Sequence, residues 1–66
     1  MAHFELGKLL FDLDRFDAAV DELSAASRPA KPGSDEASRV YRLLGRTYYR
    51  MGREDEARSA IAKAGK

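Results

Sequence analysis

Apolar residues return along this chain every three or four positions, in four separate runs. Leu6, Leu9, Leu10 and Leu13 form the first and predict a helix over residues 2–13. Phe16, Ala19, Val20, Leu23 and Ala26 form the second, which marks one buried face of a helix over 15–27. Val40, Leu44, Tyr48 and Met51 define a third helix, from Ser34 to about Met51. Ala57, Ala60, Ile61 and Ala64 line the inner face of a fourth. The expectation is an all-α chain of four helices.

The residues between the runs say where each helix starts and stops. Asp14 is expected to cap the second helix, with Asp17 three residues on at its favourable N-terminal end. Both prolines fall in the segment 28–33, Arg-Pro-Ala-Lys-Pro-Gly, and end that helix. Ser34 supplies a hydroxyl cap for the third, and Asp35 and Glu36 face the positive end of its dipole. Gly52 is a stop of the left-handed type. Glu54, Asp55 and Glu56 open the fourth helix by the same charge logic, and Gly65 closes it. The short links at 14–15 and 52–53 fold each pair of helices into an antiparallel hairpin.

The two hairpins repeat one another. Leu6-Gly7-Lys8-Leu9-Leu10-Phe11 returns as Leu44-Gly45-Arg46-Thr47-Tyr48-Tyr49, an offset of 38 residues. At the same offset Ala19 returns as Ala57, Leu23 as Ile61 and Ala26 as Ala64. A repeat this short cannot bury its own apolar face and must stack on a neighbour. The glycines let the second helix of each hairpin approach closely, and Ala19 and Ala57 present the opposing small surface.

This pattern resembles the tetratricopeptide repeat, W-x2-L-G-x2-Y followed by A-x3-F and a proline. The first copy matches through Leu6-Gly7, Leu10, Ala19, Leu23, Ala26 and Pro32. The second matches through Tyr41, Leu44-Gly45, Tyr48, Gly52, Ala57, Ile61 and Ala64. His3 stands where the motif has tryptophan, and the period exceeds the family's 34 by four residues. The resemblance implies one domain over residues 1–66, a minimal two-repeat α-solenoid with repeats at about 3–30 and 34–64. It also implies a concave groove lined by the first helix of each hairpin, in which a partner peptide lies.

Charge sharpens that expectation. The net charge is only +1, but it is unevenly spread. Residues 1–26 carry six acidic and two basic side chains, a net −4. Residues 27–66 carry ten basic and five acidic ones, a net +5. Arg39, Arg42, Arg46, Arg50 and Arg53 follow at spacings of 3, 4, 4 and 3. On a helix they fall within about ±40° of one line. Two readings of this stripe stand: a solvated face, or part of the groove. By the resemblance, Arg42, Arg46, Tyr49 and Arg50 match groove-facing positions, as do Phe4, Lys8 and Phe11 on the first helix. A planar guanidinium meets a carboxylate with two hydrogen bonds, so an acidic partner suits the stripe. The chain has no asparagine, so the family's full carboxylate clamp is not expected.

Other chemistry lacks its residues. There is no cysteine and one histidine, His3, so no metal or cofactor is expected. Ser24, Ser27 and Ser34 have no histidine placed to activate them. The acids Asp12, Asp14, Asp17, Asp21 and Glu22 lack the spacing of a calcium loop. The pI of about 8.1 and the acidic first half speak against nucleic acid, whose phosphates the stripe could otherwise touch. No run is long enough to span a bilayer and no signal peptide is evident, so the cytoplasm is the expected compartment. The expectation is a non-catalytic module that binds a protein or peptide. The alternatives are a self-assembling homo-oligomer or an excerpt of a longer repeat array.

Overall fold

Four helices follow one another in the computed structural model, which describes residues 2–31 and 33–64. They are α1 (Ala2–Asp12), α2 (Phe16–Ser27), α3 (Asp35–Arg50) and α4 (Glu54–Ala64). Pro32 and Gly65, singled out above, lie outside the described residues. Each helix packs on the next, and α1 also touches α3. The architecture is therefore all-α, two helical hairpins stacked side by side as an α-solenoid. The Cα atoms fill a slab of 27 × 26 × 14 Å, so one layer of side chains forms the interior. No described helix is long and apolar enough to cross a membrane.

The two hairpins correspond at an offset of 38 residues in space as well as in sequence. Asp12 and Arg50 end their first helices, and Phe16 and Glu54 begin their second ones. Both turns use the same hydrogen bonds. Asp14 N–H donates to the Phe11 carbonyl at 3.0 Å, and Arg15 N–H to that of Leu10 at 2.9 Å. Gly52 N–H donates to Tyr49 at 3.1 Å, and Arg53 N–H to Tyr48 at 2.9 Å. This paired closure satisfies carbonyls that the helix end leaves free, and it needs a left-handed residue at its centre. Gly52 takes that conformation with φ 80°, and Asp14 takes it with φ 61°. Asp14 therefore closes α1 and does not cap α2, as its position had suggested. Arg15 is the N-cap of α2, with no side-chain bond.

The start of α3 follows the sequence closely. Ser34 is extended, and its Oγ accepts from Ala37 N–H at 3.1 Å. One turn into α3, the Ser38 hydroxyl donates to the carbonyl of Ala64 at 3.3 Å and fastens the end of α4.

The core joins Ala19, Leu23 and Ala26 of α2, Val40 and Leu44 of α3, and Ala60 of α4. Phe4, Leu10, Phe11, Val20, Tyr41, Leu43 and Tyr48 pack around it. Among the described residues Thr47 is the buried polar one, and its hydroxyl donates to the Leu43 carbonyl at 2.8 Å. Close approach within each hairpin depends on glycine. A Cβ on Gly7 would stand 2.7 Å from Leu23 Cγ, and one on Gly45 2.5 Å from Ile61 Cδ1. Ile61 was expected on the inner face of α4; it makes that contact yet remains 39% exposed. Leu6, Leu9 and Leu13 are exposed as well, because no described helix covers that side of α1.

Candidate protein-interaction groove

The 16 residues of α3 end at Arg50, so the stripe on this helix comprises Arg39, Arg42, Arg46 and Arg50. Arg53 lies beyond it, past the turn at Gly52, and pairs instead with Glu56 at 3.5 Å. The sequence placed five arginines on one face; the left-handed turn removes the fifth.

Three of the four share one depression with residues of α1. Phe4, Lys8, Arg39, Arg42, Leu43 and Arg46 line a depression of about 220 Å³ between α1 and α3. Its floor is apolar, from the half-buried Phe4 and Leu43, and its rim carries four cations. No carboxylate lines it, and none of the four is in an ion pair among the described residues. Leu43 was missed in the sequence, although it stands only about 40° around the helix from Arg39 and borders the stripe.

Arg50 serves a different contact. Its guanidinium carbon lies 5.5 Å from the centroid of the Phe11 ring, in cation–π range. Phe11 in turn meets Phe16 edge to face, with centroids 5.7 Å apart. The aromatic pair joins α1 to α2, and Arg50 lays α3 across it.

Tyr49 lies apart from the arginine depression. It lines a separate hollow of about 510 Å³ with Arg58, Ile61 and Ala62, on the α4 side of α3. A third region, between α2, α3 and α4, brings Tyr41 under the Lys63 ammonium at 5.5 Å. His3, which stands at the tryptophan position of the motif, donates through Nδ1–H to Glu22 Oε1 at 2.8 Å and ties α1 to α2.

Stacked antiparallel hairpins with a cationic depression between their first helices define a helical-repeat scaffold of the α-solenoid class. Residues 38–64, which span α4 and all but the first turn of α3, match the family described as the tetratricopeptide repeat. With α1 and α2 in front of that segment, the four helices fit a two-repeat arrangement of the same kind. Comparisons with curated proteins and with solved structures returned no match. The family points to a scaffold for protein–protein interaction.

Proposed function

We propose that this chain binds an acidic segment of a partner protein in the depression between α1 and α3. The observation that carries the reading is the lining itself: Lys8, Arg39, Arg42 and Arg46 stand around an apolar floor with no carboxylate among them. Unpaired guanidinium groups in this geometry favour carboxylates, which they hold in bidentate fashion. Phe4 and Leu43 suit an apolar side chain carried between two acids. The Arg50–Phe11 contact joins α3 to α1 and belongs to the framework of the groove. No catalytic step is proposed.

Titration with an acidic peptide, and with the same peptide carrying lysine for each acid, tests the reading. The acidic peptide binds, the reversed one does not, and affinity falls as salt rises. Replacing Arg42 and Arg46 together by alanine removes binding and leaves the melting temperature nearly unchanged. Affinity that survives the double substitution would reduce the stripe to a solvated face.

A further inference from the structure

We infer that this chain stacks head to tail on copies of itself, with the Leu6–Leu9–Leu13 ridge of one copy seated in the Tyr49–Ile61–Ala62 hollow of the next. The packing of α3 on the first hairpin, α1 and α2, supplies the template. There Leu23, Val40 and Leu44 share the buried core, Phe11 and Val20 pack against it, and Thr47 is fully buried. Moving 38 residues upstream from the α3 side leads from Leu44 to Leu6 and from Thr47 to Leu9, and from Met51, the C-cap of α3, to Leu13. These three leucines are 43%, 53% and 58% exposed. Moving 38 residues downstream from the first-hairpin side leads from Phe11 of α1 to Tyr49, and from Val20, Leu23 and Ser24 of α2 to Arg58, Ile61 and Ala62. Those four residues line one open, mostly apolar hollow of about 510 Å³. The chain thus carries both halves of its own inter-hairpin contact a second time, uncovered, at opposite ends of the stack.

Charge selects the same pairing. In the template, Leu43 of α3 shares a depression with Phe4 and Lys8 of α1. The counterpart of Leu43 is Glu5, and the counterparts of Phe4 and Lys8 are Arg42 and Arg46. Head-to-tail stacking therefore sets Glu5 of one copy between two arginines of the next. The acidic first hairpin, net −4 over residues 1–26, meets the basic remainder, net +5. A pairing of like ends would oppose like charges and leave these groups apart.

Two different surfaces meet in this contact, so it does not close on itself after two copies, and assembly continues by addition at either end. Within the chain a seven-residue link, 28–34, holds α2 against α3; between chains no link does, and association depends on concentration. The inference shares Arg42 and Arg46 with the peptide reading but stands on the Leu6–Leu9–Leu13 ridge, which that reading does not use.

Sedimentation equilibrium of the full chain, at micromolar to millimolar concentration and two salt levels, tests it. The average mass is expected to climb past that of two chains without a plateau, and to climb less at high salt. Leu9→Glu blocks one end and Ala62→Glu the other, and each variant alone stays at the mass of one chain. Mixed in equal amounts they form pairs and nothing larger, because each retains the end that the other lacks. Leu13→Glu, at the most exposed of the three leucines, repeats the first block should Leu9→Glu disturb folding. A wild-type chain of single mass at millimolar concentration, a plateau at two chains, or a mixture that fails to pair would overturn the inference. An acidic peptide that still binds Leu9→Glu shows that the groove reading survives whichever way this test falls.

Discussion

Asp14 and Gly52 hold the same place in the two hairpins, each turning left-handed to close a first helix, at φ 61° and φ 80°. Glycine enters this region freely, whereas a residue with a Cβ pays about 1–2 kcal/mol, somewhat less for aspartate. The first hairpin therefore carries a strain that the second avoids. Asp14→Gly is expected to raise stability by about 0.5–1 kcal/mol, and Gly52→Ala to lower it by about 1 kcal/mol. Urea unfolding of both variants checks the pair, and an Asp14→Gly chain weaker than wild type would contradict the shared turn.

Gly7 and Gly45 are both close-approach residues, but their neighbours differ in freedom. Leu23, which a Cβ on Gly7 would strike at 2.7 Å, is wholly buried. Ile61, which meets a Cβ on Gly45, is 39% exposed and can swing outward. Gly7→Ala is therefore expected to cost more than Gly45→Ala, within the range of about 1–3 kcal/mol for overpacking. Gly45→Leu, too large for Ile61 alone to yield to, presses on the Ala57 carbonyl, already 3.3 Å from a Cβ. Thermal melts ranking the three variants decide the matter.

Ser34 caps α3 through a single hydroxyl bond to Ala37 N–H. Ser34→Ala is expected to cost about 1 kcal/mol, and Ser34→Asp to restore most of it, since a carboxylate accepts the same bond and favours the helix N-terminus. Equal losses in the two variants would show that the hydroxyl does something other than cap.

Arginines on the one helix should respond differently to truncation. Arg50→Ala removes the cation over Phe11 and is expected to cost about 0.5–1 kcal/mol of stability. Arg42→Ala and Arg46→Ala remove side chains that hold no ion pair, so each is expected to change stability by less than about 0.5 kcal/mol. Denaturant midpoints for the three single variants distinguish framework from binding surface.

Local chemistry made most of the fold legible in the sequence. Ser34 and Gly52 announce their roles because capping and left-handed closure depend on a few adjacent residues. Asp14 was misread because aspartate suits both an N-cap and a left-handed turn; its alignment with Gly52 was the signal that separated them. The alternation of apolar residues on α1 marked a face, but periodicity cannot say whether anything covers it, and three of its leucines are exposed. The site was legible in part for the same reason. A helical wheel gathers Arg39, Arg42, Arg46 and the nearby Tyr49, yet it carries no information on which neighbouring helix each side chain meets. α1 claims the arginines and α4 claims Tyr49. The bond between His3 and Glu22 joins residues 19 apart across a hairpin, and only the packed structure sets its length.

Among the described residues, six of the nine buried apolar ones are alanines, which is what lets paired helices lie so close. A methyl group sheds little water when it is covered. Heat capacity of unfolding tracks the apolar surface exposed, at about 0.45 cal/mol/K per Å², and globular chains average about 12–15 cal/mol/K per residue. This chain belongs below that average. Its stability curve is correspondingly flat, so cooling weakens it little, and its small enthalpy spreads melting over a wide span of temperature. Near its midpoint such a protein responds to warming by degrees, and the apolar contacts it makes with a partner weigh heavily against those it makes with itself.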